Sequence, residues 1–160
     1  GDVVGYEGIF VAEAHASRTG DPATMQLTGS TREALVGDRL LPQMQAPLPM
    51  HFVPRAPDKQ VDGRIIHVVD GVTQIGQYQV VIINRGTRDG LESGHVLSIW
   101  QAGNKVHERV KSGIFNRKVQ LPDERAGLLM VFKTYDRISY GLVMSAESAI
   151  HVLDKVQNPD

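Results

Sequence analysis

The hydrophobic and polar positions predict strands. RIIHVV (64–69), QVVIINR (79–85) and HVLSIW (95–100) are short runs rich in Val and Ile, each bounded by turn residues. LLMVFKT (128–134) and SYGLVMS (139–145) flank Tyr135-Asp136-Arg137, which predicts a hairpin. EGIFVAEA (7–14) and ATMQLT (23–28) read as a further pair of strands. Asp62-Gly63, Asp70-Gly71 and Asp89-Gly90 are turn dipeptides, because glycine accepts positive φ without a Cβ clash. No sustained helical period is present; short helical turns are expected at Thr31–Leu35 and Glu147–Ile150.

Two segments interrupt the β pattern. Residues 43–60 carry Pro47, Pro49, Pro54 and Pro57, which lack the N–H a ladder needs, so this stretch is a linker or extended strap. Residues 101–125 are polar and contain Lys105, Arg109, Lys111, Arg117 and Lys118. They predict a long exposed loop or protruding hairpin.

An internal repeat underlies the pattern. STREALVGDRLL (30–41) matches GTRDGLESGHVL (86–97), with Thr31, Arg32, Glu33 and Leu35 falling on Thr87, Arg88, Asp89 and Leu91. One inserted residue then aligns Gly37 with Gly94. The same spacing places Ile9 on Ile65, Gly20 on Gly76 and Leu27 on Ile83. A weaker third copy spans 125–156, where SAESAIHVLDKV (145–156) puts Asp154 in the place of Asp38. Copies one and two reach aliphatic residues through Gly37-Asp38 and Gly94-His95, and copy three has Leu153-Asp154 in that place. The expected fold is all-β: repeated meander units closing into small barrel- or sandwich-like lobes, with short helical turns only. The expected organisation is an N-terminal repeat unit (1–42), the Pro-rich strap (43–60) and a barrel-like domain (61–157) with a long loop at 102–124. Copies two and three complete that barrel. Copy one is then half of a similar unit whose partner strands lie upstream.

Composition narrows the chemistry. Charged residues make up 22% and the net charge is −1, so no global field draws the chain to nucleic acid or an anionic membrane. The chain holds no cysteine, which removes disulfides, Cys-ligated zinc and thiol catalysis. No apolar run is long enough to span a bilayer as a helix and no signal peptide is visible. The chain opens on Gly1, which fits a mature or trimmed chain. His15, His51, His67, His95, His107 and His151 form no metal-ligand spacing, and no cofactor is expected. Gly-x-Ser-x-Gly, a Walker lysine and Gly-x-Gly-x-x-Gly do not occur, so no enzymatic activity is expected; an unrecognised hydrolase with a site assembled across lobes is the remaining catalytic reading. Lys105, Arg109, Lys111, Arg117 and Lys118 are the candidate ligand-binding residues, for phosphate or anionic glycan, against the plainer reading of a solvated hairpin tip. Phe115 is the only aromatic among them, too few stacking rings for a nucleic-acid module. Arg32-Glu33 and Arg88-Asp89 recur at one repeat position, which points to turn chemistry: carboxylates on turn N–H groups and Arg stems over apolar surface. Trp100 ends an aliphatic strand and is assigned to core or barrel rim.

GDPATMQLTGSTREALVGDRLLP (20–42), PRAPD (54–58), GQYQVVIINRGTRDGLESGHVLSIWQAG (76–103), LPDERAGLLMVF (121–132) and AIHVLDKVQNP (149–159) together resemble the C-terminal region of Gram-negative proteins that begin with a signal peptide and a LysM peptidoglycan-binding domain. The resemblance implies a periplasmic, cell-wall-associated protein. It implies peptidoglycan binding through a LysM module, and no stretch of these residues looks like that module. The expected role is then a non-enzymatic accessory or interaction domain, with envelope proteins as possible further partners. The alternative is direct glycan or anionic-polymer binding by the 105–118 loop.

Overall fold

The computed structural model describes residues 3–43, 51–69, 74–103, 105–107 and 118–159, the segments 105–107 and 118–120 by their backbone alone. Among these the fold is all-β, apart from one 3-10 turn at Thr87–Asp89. The chain divides into two compact units, Tyr6–Ala46 and Pro47–Asp160 with Gly1–Gly5.

The smaller unit is a hairpin of β1 (Ala12–Arg18) and β2 (Thr24–Ser30). Expectation put the first strand at 7–14, but the ladder starts at Ala12, opposite Ser30. The apolar run Ile9-Phe10-Val11 precedes it. The strand instead uses Ala12, Ala14 and Ala16 alternating with polar residues, so its period of two survives with little apolar signal.

The larger unit is a closed barrel. Its strands are β3 (Asp62–Val68), β4 (Val80–Ile83), β5 (Val96–Gln101), β8 (Glu124–Thr134), β9 (Ser139–Ala146) and β10 (Lys155–Gln157). They run in the order β10-β3-β4-β9-β8-β5, and β10 then pairs back to β5. Every neighbouring pair is antiparallel. Closure leaves no free sheet edge among these strands. The remaining strands, β6 (Lys105–His107) and β7 (Lys118–Gln120), form a separate two-stranded sheet between β5 and β8 in sequence.

The barrel interior is aliphatic. Ile65, Val81, Ile83, Leu97, Ile99, Leu129, Val131, Val143, Ile150 and Val156 are all fully buried. Each such side chain contributes about 1.5–3 kcal/mol through its burial. A bulge between Ile65 and His67 resets the alternation of β3, so Val68 and not His67 faces the core. Asp62-Gly63 is not the turn its composition predicts but the start of β3. Gly63 is required by close packing there: a Cβ would meet Val156 Cγ2 at 3.0 Å and Arg85 Cγ at 2.9 Å. Tyr140 lies between Tyr135 and Phe132 on the outer face, with ring centroids 5.9 and 6.1 Å away. The hairpin expected around Tyr135–Arg137 is the β8–β9 pair.

No helix forms at Thr31–Leu35 or Glu147–Ile150. The N–H groups of Thr31 and Arg32 both reach the Val11 carbonyl, at 2.9 and 3.3 Å. Those of Glu147 and Ser148 reach the Ala126 carbonyl in the same way, at 2.8 and 3.3 Å. The Leu35 N–H, which a helical turn over Thr31–Leu35 would give to the Thr31 carbonyl, goes instead to Asp38 Oδ2 at 2.8 Å.

Part of the 43–60 strap lies along the barrel. Arg55 forms a parallel bridge with His95. Asn158 gathers its end, accepting from Val61 N–H at 2.7 Å and donating to the Pro57 and Lys59 carbonyls at 3.1 Å each.

Candidate functional site

Among the nominated basic residues, Lys105 and Lys118 lie in β6 and β7, where Lys105 is opposite Gln120 and Lys118 opposite His107. Arg109, Lys111 and Arg117 lie outside the described residues, as does Asp70-Gly71. The base of the hairpin is tied to the barrel by Asp123. Its carboxylate accepts from Lys155 Nζ at 2.5 Å and from the Gly103 N–H at 3.3 Å. These two donors, the lysine first, hold the Asp123 carboxyl below its ordinary range.

One turn geometry recurs three times. In 35–38 the Leu35 N–H donates to Asp38 Oδ2 at 2.8 Å, the Asp38 N–H returns to the Leu35 carbonyl at 3.1 Å, and Gly37 has φ 107°. In 92–95 the Glu92 N–H donates to His95 Nδ1 at 3.1 Å, His95 N–H returns to the Glu92 carbonyl at 3.2 Å, and Gly94 has φ 96°. In 151–154 the His151 N–H donates to Asp154 Oδ2 at 2.8 Å, Asp154 N–H returns to the His151 carbonyl at 3.2 Å, and Leu153 has φ 80°. Positive φ at the third position is the mark of a type II turn, and the fourth side chain caps the first N–H.

The acceptors in these turns are therefore occupied by their own backbone. His95 is 2% exposed. Burial, then the Arg55 charge, holds its imidazole below the usual range, against Glu92 and Asp58, which act the other way. Burial pushes the Asp154 carboxyl up, opposed by the bond from the His151 N–H. In the Thr-Arg-Asp-Gly segment, Asp89 Oδ2 accepts from the Gly86 N–H at 2.9 Å, and Gly90 closes the 3-10 turn at φ 83°.

The same turn borders an open concavity of the barrel unit. Val4, Asn84, Arg85, Arg88, Asp89 and Arg137 line an open cleft of about 460 Å³. Two turns meet there because Thr87 N–H reaches the Tyr135 carbonyl at 2.9 Å and Arg88 N–H reaches that of Asp136 at 3.3 Å. Arg85 donates to the Asn84 carbonyl at 2.8 Å and stands 3.7 Å from Asp89. Arg88 is 3.8 Å from Asp136, and Arg137 donates to the Val3 carbonyl at 3.2 Å. Three guanidiniums thus face two carboxylates. The arrangement suits an anionic group whose oxygens would compete with Asp136 for Arg88. Sequence reading singled out Arg88-Asp89 only as turn chemistry and did not single out Asn84, Arg85 or Arg137. Nothing in a linear pattern links residues 85 and 137; the stapled turns do.

Among the described residues no three His, Asp or Glu side chains gather as a metal site, and no helix is long and apolar enough to cross a membrane. No protein-family model matches the chain, and no curated protein matches it.

Proposed function

We propose that these residues form a non-enzymatic accessory domain of a periplasmic, LysM-type cell-envelope protein, held against peptidoglycan by a LysM module outside them. The observation carrying this reading is the fate of the polar groups that look chemical in the sequence. Asp38, Asp89, His95 and Asp154 each accept a backbone N–H within their own turn. They act as scaffold, holding strand connections in register. The compartment and the wall association rest on the family resemblance. The test is co-sedimentation with purified peptidoglycan. The 160-residue chain alone is expected to stay in the supernatant, and the chain carrying its LysM module to pellet. Pelleting of the 160 residues alone would sink the scaffold reading.

A second reading, binding of an anionic glycan or polymer, is favoured by the convergence of Arg85, Arg88 and Arg137 on one cleft. The same assay separates its two versions. Loss of binding in Arg88→Gln would assign it to the cleft. Loss on neutralising Lys105, Arg109, Lys111, Arg117 and Lys118 would assign it to the hairpin loop.

The architecture itself is read as repeated three-strand meanders: β3-β4-β5, β8-β9-β10, and a third begun by β1-β2. Three features support this reading. The barrel order is unchanged in its pairings when β3, β4 and β5 are exchanged with β8, β9 and β10. Each copy carries the capped turn, before β5 in the first half of the barrel, before β10 in the second, and after β2 in the N-terminal unit. The β1–β2 ladder also follows the β8–β9 ladder pair by pair: Ala12↔Ser30 as Gly127↔Ala146, Ala14↔Leu27 as Leu129↔Val143, Ala16↔Met25 as Val131↔Gly141.

A further inference from the structure

Residues 11–41 correspond to one particular half of the barrel, and that identity indicates what completes them. The β1–β2 ladder has two irregularities, between Glu13 and Ala14 and between Ala16 and Arg18. The β8–β9 ladder has two at the matching places, between Leu128 and Leu129 and between Val131 and Lys133. The β3–β4 ladder has one, between Ile65 and His67. Beyond the second strand, paired N–H donors from Thr31 and Arg32 meet one carbonyl, Val11, as those of Glu147 and Ser148 meet Ala126. After β4 the corresponding donors, Thr87 and Arg88, go to two carbonyls, Tyr135 and Asp136. The capping side chain is Asp38, as in Asp154, where the first half of the barrel uses His95. On all three counts residues 11–41 are a second half.

A second half cannot close alone. In the barrel, β9 pairs with β4, β8 with β5, and β10 lies between β3 and β5, so each strand of the second half has a partner in the first. The interior positions make the same point. Val143 and Val156 are fully buried; their counterparts Leu27 and Leu40 are 54% and 67% exposed. The row Ala14, Ala16, Leu27, Leu40 is therefore a barrel lining without the opposite wall.

We infer that this lining is covered by a three-strand first half from the same polypeptide, N-terminal to residue 6, giving a second six-stranded barrel in tandem with the first. The placement follows from chain order, because in the barrel the first half precedes the second (62–101 before 124–157). The inference rests on the repeat reading proposed above. A second copy of residues 11–41 is the competing occupant, but it would supply another second half, with the ladder irregularities of the wrong half.

The test is amide exchange across Ala12–Ser30 in three samples: the 160-residue chain, the chain extended to its natural N-terminus, and the extended chain carrying Leu27→Asp. Slowing of about 100-fold or more in the extended chain alone, abolished by Leu27→Asp, is the expected result. Protection of the 160-residue monomer to the level of β8–β9 would mean the β1–β2 unit is self-sufficient, and the repeat reading itself falls. Protection appearing only with dimerisation of the 160-residue chain would make a second copy the occupant and overturn the inference while leaving the repeat intact. So would an extended chain without protection, or a natural chain with no upstream segment.

Discussion

Gly94 carries φ 96° in its turn, and a Cβ built on it would lie 2.9 Å from the Val53 carbonyl oxygen. A β-branched residue there meets both the left-handed backbone penalty and the strap. Gly94→Val is expected to cost at least about 2 kcal/mol, read as a fall in melting temperature with any ligand binding unchanged relative to folded protein. An unaltered melting temperature would contradict the turn assignment. At the equivalent position Leu153 bears φ 80° and is 63% exposed. Leu153→Gly relieves that strain, offset in part by a freer unfolded chain, for a net gain of about 0.5 kcal/mol. Substantial loss of stability would mean that Leu153 packs more than its exposure indicates. His95 makes its turn sensitive to acid. Its folded pKa is depressed, so the unfolded chain takes up the proton first. Its contribution is present above pH about 6.5, the ordinary imidazole value, and is lost as pH falls from there toward the folded value. His95→Asn keeps an acceptor for Glu92 N–H without titrating. The variant is expected to melt with less dependence on pH between 7 and 5, and an identical dependence would remove His95 as the source.

At the scale of elements, β3, β4, β5, β8 and β9 were legible because each carries an unbroken or alternating aliphatic run that the barrel buries. β1 and β10 were not read correctly from local sequence. The β1 sequence AEAHASR offers only alanines to its apolar face, and its limits are set by the ladder with β2. β10 has one buried residue, Val156, and is a strand because it fits between β3 and β5. The recurrent turn was legible from Gly37 and Gly94, since positive φ constrains residue choice. The arginine cleft was not, because it depends on hydrogen bonds between turns distant in sequence. The hairpin β6–β7 stands on the Asp123 clamp. Asp123→Ala is expected to speed amide exchange in 105–107 and 118–120 while leaving the barrel melting temperature nearly unchanged. Equal exchange in the variant would show that the hairpin holds itself. The clamp has its own pH window. The Asp123 pKa is lowered on folding, so its stabilisation is present above the ordinary carboxylate range and is lost as pH falls through the folded value.

At the scale of the molecule, the β1–β2 and β8–β9 ladders pair their strands alike but in unequal surroundings, and one matched pair of substitutions measures the difference. Leu27 lies opposite Ala14 as Val143 lies opposite Leu129. Val143 is fully buried in the closed barrel, so Val143→Ser removes two methyl groups from a packed interior and places a hydroxyl there. The expected cost is about 2–4 kcal/mol. Leu27→Ser in the 160-residue chain removes more hydrocarbon, yet its side chain is more than half exposed, and surface changes usually fall within about 0.5 kcal/mol. Trp100, the chain's one tryptophan, sits half-buried on β5 and reports on the barrel alone. Urea unfolding followed by its fluorescence is expected to show a clear midpoint shift for Val143→Ser and none for Leu27→Ser. If Leu27→Ser moved the midpoint as far, residues 6–46 would be contributing to the folded barrel's stability. They would then have to be counted as part of its core.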